Sequence, residues 1–188
     1  MSTIPLVFHL STTDNWWTPD WLVNLSKEVL GEIDLDPASS YASNLNIRAI
    51  RYIDQKLNGL VSPWLEDETS NPISVFLNPP GGKIGNKSKA VLFWNKLIQL
   101  KTHGFLSHAI FLAFSIEALQ TTQVNSILPI ASFPLCIPKK RIVFVDPHDN
   151  ARHSPSHGNA IVYVPGVRDE SQKFIDVFKD VGAILRPP

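Results

Sequence analysis

The sequence predicts an α/β fold: a mostly parallel sheet with helices, and an antiparallel strand pair added toward the C-terminal end. Three observations carry this. Strand-like and helix-like segments alternate over the first two thirds of the chain, the pattern of a parallel sheet with crossover helices. Strand-like segments then follow one another without helices, which suits antiparallel pairing. The 188 residues, 44% hydrophobic and 18% charged, suit one domain, residues 1–188, with a real core.

The elements follow in order. Asp20–Leu30 reads as a helix, with Trp21, Leu22, Leu25 and Val29 near helical spacing and Gly31 as its stop. Glu32–Asp36 and Arg48–Ile53 read as short strands, and Ser74–Asn78 as a buried one. Ser88–His103 reads as a helix capped by Ser88 and ended by Gly104, with an apolar stripe from Val91 to Leu100. His108–Phe114 reads as a buried strand, followed by a helix to about Gln123. Phe133–Ile137, Arg141–Val145 and Asn159–Val164 are strand-like. Glu170–Val181 is an amphipathic helix ended by Gly182, and Ala183–Leu185 a last strand.

No apolar run approaches the ~18 residues of a membrane span. The opening MSTIPLVFHLSTTD has neither a basic n-region nor an apolar h-region, so no signal peptide is read. The single Cys136 excludes an internal disulfide framework and fits a reducing cytoplasm. Net charge is zero, yet its distribution is uneven. Residues 1–70 hold ten acids and four bases, and residues 71–145 hold eight bases and one acid, Glu117. A basic segment in a neutral chain either forms a solvated helix face or attracts phosphates. Its lysines Lys83, Lys87, Lys89, Lys96 and Lys101 lean toward nucleic acid.

In an α/β sheet the ligand lies beyond the carboxyl ends of the strands. Two unusual turns leave their strands there. The first is VFLNPPGGK, Val75 to Lys83. The Asn78 amide oxygen is an acceptor, and Pro79 and Pro80 donate no N–H, so the Pro79 carbonyl can serve as a second acceptor. Two converging acceptors suit an amine with two hydrogens, such as the exocyclic amine of a nucleobase. The second is Asp34-Leu35-Asp36-Pro37-Ala38-Ser39-Ser40, which lets a ligand approach the backbone beside carboxylates. A third segment, Asp14-Asn15-Trp16-Trp17-Thr18-Pro19, offers aromatic rings and a hydroxyl before the first helix. The loop Asp146–Gly158 carries His148, His153 and His157, but neither cysteine partners nor a familiar metal-ligand spacing, so no metal is read.

Each turn alone is ordinary, but their order is not. With WWTP, then DLDPAS, NGLVSPW and VFLNPPGG, and later KKRIVF and PSHGNAIVYV, the chain resembles the phage-type DNA adenine N-6-methyltransferases, the Dam-like family of bacteriophages and prophages. The resemblance runs from about Asp14 to Val164. It implies a single Rossmann-like S-adenosylmethionine-dependent methyltransferase domain, with KKRIVF and the GNAIVYV segment as the antiparallel C-terminal strand pair. It implies DNA as partner, no membrane and no metal, in the cytoplasm of a bacterium or infected host, as a monomer or homodimer.

Residue by residue, the resemblance puts Trp17, Thr18 and Pro19 beside the methyl donor. Asp34, Asp36, Pro37 and Ala38 correspond to the donor-binding turn, and Asp54 is a further donor contact. Asn78, Pro79, Pro80 and Gly81 correspond to the catalytic tetrapeptide. Lys83, Lys87, Lys89 and Arg152 are the expected DNA contacts. Gly81 departs from the pattern, because the family has an aromatic ring there to stack on the target base. Either another ring (Trp64, Trp94 or Phe114) replaces it, or methyl transfer has decayed and the fold only binds DNA. The resemblance also leaves open cytosine N-4 or a protein glutamine as the acceptor.

Overall fold

A computed structural model describes residues 17–67, 71–113, 130–145, 152–153 and 158–187. Its centre is a seven-stranded mixed sheet, mostly parallel. The strands are β1 (Leu35–Asp36), β2 (Arg51–Tyr52), β3 (Ile73–Leu77), β6 (Leu106–Ala113), β7 (Leu135–Pro138), β10 (Ala160–Pro165) and β11 (Gly182–Leu185), in the order β11-β7-β10-β6-β3-β1-β2. β2, β1, β3 and β6 run parallel to one another. β10 runs antiparallel between β6 and β7, and β11 is antiparallel to β7 at the edge. From β1 the chain steps outward to β2, then returns to the other side of β1 as β3. That reversal makes the β1–β3 boundary a topological switch point, a feature compatible with a Rossmann-like fold.

The central strands bury both faces because their apolar residues are continuous rather than alternating. β6 is buried along its whole length. Its alternate residues Ala109, Phe111 and Ala113 join Val75, Leu77 and helix α3 (Lys89–Thr102) in one core. Ile110 and Leu112 join Phe76, Tyr163 and two further helices in the other. Those helices are α1 (Asp20–Leu30) and the last helix, α4 (Ser171–Phe178). Trp94 of α3 is fully buried, edge-on to Phe111 at 5.1 Å and to Phe133 at 5.6 Å.

Most elements lie where periodicity puts them, with α1 matching its expected bounds residue for residue. Four differ. Helix α2 (Tyr41–Ile47) occupies a stretch not read as helical; Ser40 caps it by accepting from the Ser43 N–H at 3.1 Å, and Arg48 ends it in a left-handed conformation at φ 52°. Ser88 stands at the α3 N-cap position but makes no side-chain cap hydrogen bond; the Lys89 N–H instead donates to the Gly82 carbonyl at 3.0 Å. A hairpin of β4 (Lys83–Ile84) and β5 (Lys87–Ser88) follows the NPPGG turn directly, with Gly85 at φ 57° in its two-residue connection. The expected pairing of Arg141–Val145 with Asn159–Val164 does not form. β8 (Phe144–Val145) pairs instead with β9 (Arg152–His153), outside the main sheet, while β10 enters the sheet alone. The expected helix ending near Gln123 lies outside the described residues.

Candidate functional site

The switch point gathers three sequence segments at the carboxyl ends of β1 and β3. β1 and β3 are parallel, with Leu35 opposite Val75, so the turn at Pro37 and the turn at Asn78 leave the sheet side by side. Thr18 closes over them. The Asn78 amide nitrogen donates to the Thr18 hydroxyl at 3.2 Å, and the Asn46 amide of α2 donates to the Thr18 carbonyl at 3.1 Å. Spending the Asn78 nitrogen on Thr18 leaves its Oδ1 as the acceptor of that side chain. Pro79 is buried and Pro80 half-buried, and among the described residues no backbone N–H donates to the Pro79 carbonyl. Half-buried Asn78 therefore leads into a turn that has few backbone freedoms left.

The Asp36 turn is built from within. Asp36 is buried, and its Oδ1 accepts from the Ala38 N–H at 3.1 Å. Burial raises its carboxyl to a pKa of about 7, against the lowering effect of the Ala38 and Ser39 hydrogen bonds. The Ser39 N–H reaches the Ile53 carbonyl at 3.0 Å, which ties the turn to the end of β2. Asp54 follows there; its Oδ1 accepts from the Leu57 N–H at 2.9 Å, leaving the second oxygen of a half-buried carboxylate.

Asp34 lies elsewhere. Its carboxylate accepts from the Ser74 N–H at 2.7 Å and from the Ser74 hydroxyl at 2.9 Å, at the entry end of β3. It clamps two strand starts together, so the structure separates it from Asp36, Pro37 and Ala38.

Trp17 joins the site through its backbone. Its N–H and carbonyl pair with Val145 at 3.0 and 3.1 Å. Val145 is opposite Arg152 in the β8–β9 pair. Trp17, Val145 and Arg152 thus stand in three adjacent backbone rows, one residue from Thr18. Pro19 then starts α1, its carbonyl accepting from Leu22 at 3.0 Å. On the other side, Lys83 and Lys87 are exposed on the β4–β5 hairpin. Lys89 opens α3, with its Nζ 3.8 Å from where a β-carbon on Gly82 would stand.

The two glycines of the turn differ. Gly82 has φ 87°, a conformation L side chains rarely adopt. Gly81 has no such requirement, and a β-carbon there meets nothing within 4 Å. The missing aromatic is therefore not dictated by the backbone. Nor do the two tryptophans replace it. Trp64 is buried and stacked on Phe93 at 6.4 Å, and Trp94 is fully buried in the core. Phe114 lies outside the described residues.

Two contributors were not legible beforehand. Gly59 packs so closely under the Asp36 turn that a β-carbon would stand 1.9 Å from the Pro37 carbonyl oxygen. Its own carbonyl accepts from the Trp64 indole at 2.8 Å and from Lys96 Nζ at 2.9 Å. Lys96 also donates to the carbonyls of Leu60 at 3.1 Å and Ser62 at 2.5 Å, and lies 5.3 Å from the centre of the Trp64 ring. Burial lowers its pKa. Lys101 likewise donates to the Pro165 carbonyl and lies over Phe133. Lys96 and Lys101, counted above with the phosphate-facing lysines, are loop clamps.

Among the described residues, no group of three or more His, Cys, Asp or Glu side chains is arranged to hold a metal ion, and no helix is long and apolar enough to cross a membrane. His148 and His157 of the histidine-bearing loop lie outside the described residues. No family model, curated protein or solved structure matches the chain.

Proposed function

We propose that this protein is an S-adenosylmethionine-dependent DNA methyltransferase acting on the N-6 amine of adenine. One observation carries the reading: Asn78, followed by Pro79 and Pro80, stands at the switch point beside the Asp36 turn, with its amide nitrogen held by Thr18 and its oxygen left to accept. In this reading the target base leaves the duplex stack and presents its amine to the Asn78 oxygen and the Pro79 carbonyl. Two accepted hydrogen bonds draw the amine nitrogen toward a pyramidal shape and expose its lone pair. The nitrogen then attacks the sulfonium methyl in line; the N–C bond forms as the S–C bond breaks, S-adenosylhomocysteine leaves, and the amine gives up one proton to solvent. The catalysis is positioning and electrostatics, without a covalent enzyme intermediate.

The residues suit a cationic donor. Asp36 and Asp54 supply carboxyl oxygens for an ammonium or ribose hydroxyls, and Pro37 and Ala38 keep the backbone low and close. Gly59 and Lys96 hold that turn from below. Lys83, Lys87, Lys89 and Arg152 flank the site as candidate phosphate contacts. Asn78→Ala tests the assigned roles: it is expected to abolish methyl transfer while leaving donor affinity, read by calorimetry, within about two-fold of wild type. Equal loss of both would assign Asn78 to the donor pocket instead.

A second reading rests on Gly81. Without a ring over the base, the chain is a methyltransferase-like fold that binds DNA and does not modify it. Donor binding without any methylated base would favour it.

A further inference from the structure

A cleft of about 700 Å³ opens beside the candidate site, its walls including Pro19, Trp21, Lys139, Lys140, Arg141 and Val145. Three consecutive cations and an indole line it. Trp21 is 42% exposed. The basic turn is held at both ends. The Lys139 N–H donates to the Val181 carbonyl at 2.9 Å and its Nζ to the Asp180 carbonyl at 3.3 Å. Ile142 is buried, and its N–H donates to the Asn159 amide oxygen at 3.0 Å. Between these anchors Lys140 and Arg141 are exposed. Two carboxylates, Asp20 and Asp180, also line the cleft. Asp20 sits in the first turn of α1, where the helix dipole favours a negative charge.

The cleft adjoins the site along the backbone. Pro19 lines it and follows Thr18, whose hydroxyl is bonded to Asn78. Val145 lines it and pairs with Trp17. A strand whose base reached Asn78 would therefore pass over Pro19 into the cleft. Cations on an anchored turn beside an aromatic ring are the combination that tracks a nucleic-acid strand: phosphates pair with the cations, and sugar or base packs on the ring.

We infer that this cleft is a second nucleic-acid contact, gripping phosphates of the DNA strand that flanks the target base, with Trp21 as its packing surface. The choice of DNA rests on the function proposed above. The test is fluorescence anisotropy of a short labelled DNA duplex, without donor, over a salt series. Each phosphate contact contributes about 0.9 to the log–log salt slope. The triple variant Lys139→Ala, Lys140→Ala, Arg141→Ala is expected to bind at least about ten-fold more weakly, with a slope smaller by about 2–3. Lys140→Glu, at an exposed side chain outside the turn's anchoring bonds, gives the same direction if the triple variant melts early. Trp21→Ala is expected to weaken binding with little change in slope.

Wild-type affinity and slope in the triple and Lys140→Glu variants would overturn the inference, and so would a wild-type protein that does not bind DNA. The two readings fail separately. Cleft-dependent DNA binding without methyl transfer removes only the proposed activity. Methyl transfer with a salt slope indifferent to Lys139, Lys140 and Arg141 removes only the cleft.

Discussion

Replacing Gly81 by tyrosine tests whether the missing ring limits the proposed methyl transfer. The backbone admits the change. Gly81 is not in a left-handed conformation, and its β-carbon would meet nothing within 4 Å. Substituting glycine at such a compatible position stabilises by about 0.4–1 kcal/mol, through a less flexible unfolded chain. In a protein of this size that corresponds to roughly 1–4 °C in Tm. The functional gain is larger. A ring stacked on an unpaired base contributes about 1–3 kcal/mol. At 1.4 kcal/mol per factor of ten, that is about 5- to 150-fold. Gly81→Tyr is therefore expected to raise kcat/KM for DNA within that range, read as transfer of a labelled methyl group under single-turnover conditions. Gly81→Leu, which fills space without an aromatic face, should gain much less. An unchanged or lower kcat/KM in Gly81→Tyr, with Tm preserved, would refute the assignment of this position to the base.

Other outcomes follow from the same geometry. Gly59→Ala drives a β-carbon into the Pro37 carbonyl, so it should cost about 1–3 kcal/mol by calorimetry and weaken donor binding more than DNA binding. Lys96→Met removes a donor from three carbonyls of the Gly59–Ser62 loop, of which Gly59 keeps the Trp64 indole; chemical denaturation should show a loss of about 1–3 kcal/mol, and donor affinity should fall with it. Asp36, raised by burial to about 7, contributes stability while protonated and loses it as pH rises from its unfolded value toward and through 7. Asp36→Asn should therefore raise Tm at pH above about 8 in donor-free protein, and donor affinity in the wild type should strengthen as pH rises through about 7. His108 behaves oppositely. Buried on β6 between the Tyr163 hydroxyl at 3.3 Å and the Leu30 carbonyl at 3.1 Å, it has its pKa lowered, first by burial and then by Arg168. Its stability is fully present above the ordinary histidine pKa and declines as pH falls below it. Denaturation at a series of pH values should show that decline in the wild type and a flatter profile in His108→Asn.

Much of the fold was legible because the sheet is buried on both faces. VFL before Asn78 and the run from His108 to Phe114 read as buried strands, the second found at Leu106–Ala113, and the helix from Asp20 to Leu30 is bounded by Pro19 and Gly31. What local patterns hid depends on distant partners. Helix α2 is short and polar, and its place is fixed by the Asn44 amide bridging to Ala49 and the Asn46 amide reaching Thr18. The signal available was Ser40 as a cap. β8 does not join the main sheet because its neighbours are Trp17 and β9, which periodicity within Arg141–Val145 does not reveal.

The candidate site divides the same way. Asn78 and the Asp36 turn were readable, since their types and strand ends imply a place at the switch point. The separation of Asp34 from Asp36 was not. Two residues apart, their carboxyl groups meet different ends of the sheet, one at Ser74 and one at Ala38. Lys96 carries the same charge as Lys83, and only the fold makes one a clamp over Gly59 and leaves the other exposed on a hairpin.

The most direct measurement is mass spectrometry of nucleosides from unmethylated DNA incubated with the purified protein and S-adenosylmethionine, alongside Asn78→Ala. N-6-methyladenine is expected with the wild-type protein and none with the variant. Donor bound by calorimetry with no N-6-methyladenine formed, or formation that survives Asn78→Ala, would contradict the proposed function.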